Sequence, residues 1–385
     1  MNPQIFHKNI VDTLTNSFHD ESLKLRKQGF QFWEDFSFGR KKRTPFDEDW
    51  YKDIKNIKVQ DFTIQNKEGI KVYTLQEAIK QELPEIKKYF GRIVRPTENI
   101  FTSIHYSLLN TGLLIIVPEN TTLKKPIILK ENIKLHTFDH ILLIIKKGAK
   151  ATFIEDISSL TDNLIRNQVV EVIVEEGAEL TYVTFQDLKK TNHSSSFYRA
   201  SVENSGKILW FTGNFGSQTH KLFLESHLIG EGSESEIRGV FYGNRNQRME
   251  LNIGNTYDAL HTKGEMKING AVKDTAVISC NGLIHITKKG QYASSYLKQK
   301  NIILDNTAHI NATPELQISA NEVKAGHGAS ITKVNPEDLF YLQSRGIQKD
   351  NAETLIINGF LQEFSKEFEH IPYIQERTKE LIEKQ

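Results

Sequence analysis

Few side chains in this 385-residue chain combine a reactive type with a useful spacing. His327 stands between Gly326 and Gly328 in the run AGHGAS. Flanking glycines leave an imidazole uncrowded and let a second backbone approach it. Such a histidine serves as an iron ligand or proton relay only if a partner completes the site; otherwise it is an ordinary turn residue. His136 and His140 lie four apart beside Asp139, a spacing that chelates a metal on a helix. The ILLII run that follows reads as strand instead, where residues four apart sit roughly 13 Å from each other. Both are therefore expected to be solvent-facing or turn histidines. Cys280, the single cysteine, sits in the alternating run VISCNGLIHI. Its expected role is that of a small buried hydrophobe, not a reactive thiol. Carboxylates are scattered, and no spacing singles out a pair for glycoside hydrolysis.

Composition narrows the chemistry further. One cysteine excludes an internal disulfide, a Cys-rich zinc module and any Fe–S cluster held by this chain's thiolates alone. Lys and Arg number 49 against 48 Asp and Glu, a net charge of +1. That balance supplies no field to draw in nucleic acid or an anionic membrane. The basic run GRKKR at 39–43 accordingly reads as a solvated loop. No G-x-x-x-x-G-K-[ST] occurs, so the chain should not hydrolyse ATP through a P-loop. No G-x-G-x-x-G opens a helix, and H-E-x-x-H and G-x-S-x-G are missing. The longest apolar runs, 113–117 and 141–145, are too short to span a bilayer. The first residues lack a secretory signal pattern, so the expected location is the cytoplasm.

Three zones of different periodicity must position these groups. Up to about residue 100, Ile10, Leu14 and Phe18 recur at helical spacing, and an aromatic-dense stretch follows from Phe30 to Phe38. From about 101 to 333, short alternating bursts rich in Val, Ile, Thr and Phe are punctuated by Gly, Asn and Asp. These are strand signals, and no stretch of 10–15 residues there reads as a helix. Within this zone 141–157 lines up with 170–188: Gly148 maps onto Gly177 and Phe153 onto Tyr182, both offset by 29. A weaker echo surrounds Gly290. A strand–Gly turn–strand unit recurring at that period points to a β-helix, a propeller or a sandwich.

The third zone, from about 335, is helical again. Asn335 can cap, Pro336 suits the first helical position, and Gly346 after Arg345 can stop the helix. A second helix is expected from Asp350, with Glu353 completing a capping box. Its apolar face would hold Ala352, Leu355, Ile356, Phe360, Phe364 and Phe368, with Pro372 limiting it.

Residues 323–361, VKAGHGASITKVNPEDLFYLQSRGIQKDNAETLIINGFL, closely resemble the C-terminal signature of the SufB/SufD family of Fe–S cluster assembly proteins. The matching elements are His327, Gly328 and Ala329, then Leu339 to Leu342, then Ser344, Arg345, Gly346 and Ile347, then Ala352, Gly359 and Phe360. Residues 112–129 (GLLIIVPENTTLKKPIIL) and 312–318 (ATPELQI) resemble two further family blocks, and TPFDEDWYKDI at 44–54 is similar to its N-terminal region. Two departures favour the SufD branch. Gln299 stands where SufB-like chains carry a cysteine linked to cluster assembly, and Gly328 stands where they carry a glutamate. Ala325 replaces a cysteine frequent in relatives, which leaves His327 as the one obvious soft donor of the motif. Thr332 replaces a frequent glycine.

The resemblance implies a mainly β fold: a right-handed parallel β-helix over 101–333, an N-terminal helical region over 1–100 and a C-terminal helical region over 334–385. It implies a scaffold without enzymatic activity of its own, in a complex with one SufB-like chain and two copies of a SufC-like ABC ATPase. His327 would face SufB's cysteine at a shared, transient Fe–S cluster site. Phe340, Tyr341, Leu342, Ser344, Arg345, Gly346 and Ile347 would dock the ATPase, with the 336–345 helix as a lever. Without SufB, the open edge of the β-helix favours a homodimer. Two other classes compete: an interaction subunit that never ligates the cluster, and a polysaccharide-active β-helix enzyme.

Overall fold

The computed structural model describes residues 21–38, 62–368 and 370–384. The helical pattern at residues 10–18, the basic run at 39–43 and the block at 44–54 lie outside them. The described chain is a parallel β-solenoid of about eight turns with helices at both termini. Two nine-stranded sheets face each other. One contains β1 (Thr63–Gln65), β4 (Ile127–Ile133), β6 (Lys150–Ser159), β8 (Glu179–Asp187), β10 (Lys207–Asn214), β12 (Glu234–Gly243), β14 (Lys263–Val272), β16 (Ser294–Ile303) and β18 (Lys324–Lys333). The other contains β2 (Lys71–Thr74), β3 (Thr111–Val117), β5 (Thr137–Ile145), β7 (Ile165–Val174), β9 (His193–Val202), β11 (Thr219–Leu228), β13 (Arg248–Tyr257), β15 (Val277–Ile286) and β17 (His309–Ile318). Each turn gives one strand to each sheet, so the architecture is a β-helix and neither a sandwich nor a propeller.

The repeat seen in sequence is the pitch of the coil. Phe153 pairs with Tyr182 across the parallel β6–β8 ladder. Gly148 and Gly177 occupy equivalent corners at φ 66° and 64°, and their N–H groups donate to the next coil at Glu176 O and Asn204 O. That left-handed conformation is why glycine marks the repeat. Gly232 repeats the corner at φ 67°, but other later coils keep the conformation without the glycine, at Ser205, His261 and Tyr292, so the repeat fades in sequence while the geometry persists. The axis is filled by alternate residues of both sheets. Phe153, Tyr182 and Trp210 stack through successive coils at centroid distances of 5.0 and 4.8 Å.

Helices cover both outer faces. On the N-terminal side lie α1 (Glu21–Phe38), α2 (Leu75–Lys80), α3 (Pro84–Tyr89) and α4 (Ile100–Leu108). Thr74 caps α2 in a full capping box with Glu77. Every residue of α4 is buried, so it lacks the one-sided pattern by which a surface helix is recognised. The C-terminal α5 (Pro336–Ser344) begins as its sequence suggests, with Asn335 accepting from Glu337 N at 3.1 Å and Pro336 at the first position. Gly346 ends it at φ 85°. The next helix differs from expectation. α6 (Lys349–Leu361) is capped by Gln348 with no side-chain bond, and it gives way to a 3-10 segment, Gln362–Phe368. Its buried residues include Ala352, Ile357 and Leu361, whereas Leu355 is 51% exposed. These pack with α7 (Pro372–Glu383) on Phe185, Phe211 and Phe215 of the solenoid.

Candidate functional site at the open end of the solenoid

No helix of the described residues covers the solenoid's last coil. β17 and β18 are the edge strands of their sheets, each hydrogen-bonded on one side only. Such edges present unpaired backbone donors and acceptors to another chain. His327 lies in β18 in register with Leu297 of β16, and Leu297 is fully buried in the axial core. Registered residues of parallel strands share a face. His327 is thus on the core-facing side of the coil, yet exposed because no further coil follows. Gly326 and Gly328 take the opposite, outer face, where Tyr296 of the neighbouring strand fills the space a Cβ would meet at 3.4 to 3.5 Å. The glycines thus lie beside an aromatic ring outside while His327 is on the axial side.

The coil beneath holds the other residues of interest. Gln299 is buried and registered with Ala329. Its amide lies 3.7 Å from Cys280 Sγ. Cys280 is sealed in the core, and burial pushes its thiol up to about 12. It is the small buried residue expected, and a thiol held protonated is unsuited to bind iron. His327 presents an exposed imidazole on the core-facing side of this open end.

The second expected group, on and after α5, is arranged as a surface. Phe340 is 71% exposed and Tyr341 57% exposed. Arg345 stacks over the Tyr341 ring at 5.2 Å, and Ser344 Oγ donates to Tyr341 O at 2.7 Å. Leu342 and Ile347 are half-buried, and Ile347 N closes the helix end onto Leu342 O at 3.3 Å. Gly346 provides the left-handed turn this closure requires.

His140 departs most from expectation. It is not solvent-facing but fully buried, because α4 packs on the outer face of β5. Asn167 donates to Phe101 O, which leaves its Oδ1 to accept from His105 Nδ1 at 3.2 Å. His105 Nε2 lies 3.2 Å from His140 Nδ1, and His140 Nε2 meets Glu171 Oε2 at 3.0 Å. Glu171 already accepts from the N–H groups of Gly91, Ile93 and Val94. Burial, then the charge on His140, holds His105 well below the usual histidine range. His136 is half-buried and accepts from Ile165 N at 3.1 Å. His105 and His140 tie α4 to the solenoid.

A second polar group lies inside the coil. Arg166 Nη2 contacts Glu131, Asp139 and Glu155 at 3.1, 2.9 and 3.3 Å, all fully buried. Burial is the largest cause that raises Glu131 well above the carboxylate range and Asp139 to about 6, with Arg166 opposing. Their carboxylate oxygens lie within 4.8 Å of one another. The cluster is sealed from any substrate, and the guanidinium is already its cation. Sequence spacing could not reveal it, because its four members come from four different strands.

The chain matches the family described as "SUF system FeS cluster assembly, SufBD core domain" over residues 128–360. An iron-sulfur cluster assembly SufBD family protein of Staphylococcus aureus (strain MRSA252) is 27% identical over 306 residues, covering 78% of this chain and 65% of the relative. The similarly named protein of Staphylococcus haemolyticus (strain JCSC1435) is 26% identical over the same length and shares of the two chains. The aligned part of this chain therefore spans under two thirds of either relative. With the family match running through more than half of the chain, and through the solenoid, His327 and α5, this protein belongs to the SufBD family of Fe–S cluster assembly proteins.

Proposed function

We propose that this chain is a SufD-type scaffold subunit that pairs end to end with a SufB-like chain and holds a nascent Fe–S cluster at the seam. The observation that carries the reading is the uncovered last coil with an exposed imidazole on its core-facing side. Two such ends can join by strand addition, which hydrogen-bonds both edges and brings both sets of axial side chains together. The cluster is cargo, not a resident cofactor. A chain with one sealed thiol must share its ligation with a partner, so His327 would supply nitrogen and SufB thiolate. α5 then gives a SufC-like ATPase a lever that reaches the same coil, since α5 follows β18 after two residues. Phe340 and Tyr341 supply the exposed aromatic contact; Leu342, Ser344, Arg345, Gly346 and Ile347 shape the turn. ATP-driven pairing of two SufC-like chains would move this helix and open the seam.

The test is co-expression with SufB-like and SufC-like proteins and light scattering on the purified complex. The expected assembly has one SufB-like chain, two SufC-like chains and one copy of this chain. It should lose one SufC-like chain when Phe340 and Tyr341 are made polar. His327→Ala should leave the assembly intact and lower maturation of a recipient Fe–S protein. Maturation unchanged in that variant would assign the chain to interaction alone, as the alanine at 325 would then suggest. A chain that binds neither partner would refute the scaffold role.

A further inference from the structure

A cavity of about 980 Å³ opens between α1 and residues 90–97, far from the open end of the solenoid. Lys24 and Lys27 project into it from one wall, and Arg92 and Arg95 from the other. Each pair is three residues apart. Among the described residues no carboxylate lines this space, and none of the four cations forms an ion pair. Leu25 and Phe32 provide an apolar floor.

The walls are held by buried bonds. The loop carrying Arg92 and Arg95 is fixed through Gly91 N, Ile93 N and Val94 N, which donate to Glu171 at 2.8 to 2.9 Å. Tyr106 Oη donates to Val94 O at 2.6 Å, and Arg199 to Ile93 O at 2.8 Å. Across the cavity, buried Arg26 ties α1 to the end of α4, donating to Ser107 O at 2.9 Å and to Leu109 O. Gly29 permits this approach, since a Cβ there would meet Ser103 O at 2.7 Å. The cations thus stand on a preorganised frame, which lowers the ordering cost of binding.

We propose that this cavity binds a phosphate-bearing ligand with a planar aromatic ring, the chemistry of a nucleotide. Four cations without an ion pair among the described residues call for more than one negative charge, and paired arginines suit phosphate oxygens through bidentate bonds. The volume exceeds what inorganic phosphate needs and matches a small-molecule site of roughly 300–1,000 Å³. The apolar floor takes the ring. This site is independent of the cluster reading, since it uses neither His327 nor α5.

The test is fluorescence anisotropy of mant-ADP titrated with the purified full chain at low and physiological salt. Saturable binding, displaced by unlabelled ADP and weakened by salt, is expected. Arg92→Gln with Arg95→Gln, and separately Lys24→Gln with Lys27→Gln, should each raise Kd at least ~10-fold. Lys263→Gln with Lys289→Gln removes equal charge elsewhere and should change nothing. All four cavity side chains are exposed, so the variants should keep the parent's thermal midpoint. No saturation by ~1 mM, or parent-like binding in both cavity variants, would overturn the proposal. So would binding of an acidic aromatic peptide with none of mant-ADP, which would assign the cavity to a protein partner.

Discussion

Replacing Arg166 by Met tests the buried charge cluster, and the structure fixes how the effect should vary with pH. Methionine has similar volume, so the core stays filled while three buried carboxylates lose their cation. Removing one partner of a buried ion pair costs about 3–5 kcal/mol. The carboxylates can escape part of that cost by protonation, since Glu131 and Asp139 already sit above their usual range, Asp139 at about 6. A group with a raised folded pKa holds a proton that the unfolded chain releases. Its contribution is therefore complete below the unfolded value and is lost as pH rises through the folded value. Without Arg166 the folded values rise further, and each added unit extends the loss by about 1.4 kcal/mol. The variant should lose about 3–5 kcal/mol at pH 8 and distinctly less at pH 5. Urea unfolding of parent and variant, followed by tryptophan fluorescence and circular dichroism at both pH values, measures this. Comparing parent with variant cancels groups such as Glu225, whose depressed value of about 2 acts at lower pH. An equal penalty at both pH values, or one below ~1 kcal/mol, would mean that Arg166 is not the counter-charge of this cluster.

Other perturbations separate the remaining physical claims. Glu171→Gln exchanges a carboxylate for an amide against His140 and three backbone donors; a cost of about 3 kcal/mol is expected. Hydrogen exchange should localise the loss to Gly91, Ile93 and Val94, and uniform exchange would refute this. Gly177→Ala and Gly359→Ala should act in opposite senses although neither Cβ would meet a neighbour. The first forces alanine to φ 64° and costs about 1–2 kcal/mol; the second lies in α6 and stabilises by about 0.5–1 kcal/mol. Equal signs in thermal unfolding would contradict the corner assignment. Phe340→Asp changes a side chain that is 71% exposed, so stability should move by less than ~0.5 kcal/mol while binding of a SufC-like ATPase is lost. Loss of stability in the isolated chain would make Phe340 a packing residue.

What residue types encode locally was legible in the sequence. The alternation of apolar and polar residues marked the strands. The 29-residue offset from Gly148 to Gly177 is one coil, because a corner in the left-handed region favours glycine. Asn335, Pro336 and Gly346 bounded α5 as expected, since caps depend on a few adjacent backbone groups. The family likeness followed from contiguous motifs. Only tertiary structure decided which strand faces are covered. His140 became a buried residue set between His105 and Glu171 because α4 packs on β5, and α4 itself was hidden by being buried on every side. Arg166 and its carboxylates meet from four strands, and the cations at 24, 27, 92 and 95 meet from two distant segments. His327 was visible as a residue, but its exposure on the core-facing side depends on the coil ending there. Sequence records the period of a solenoid, whereas enclosure depends on the elements laid against it, and it is burial that raises Glu131 and Asp139 above the usual carboxylate range.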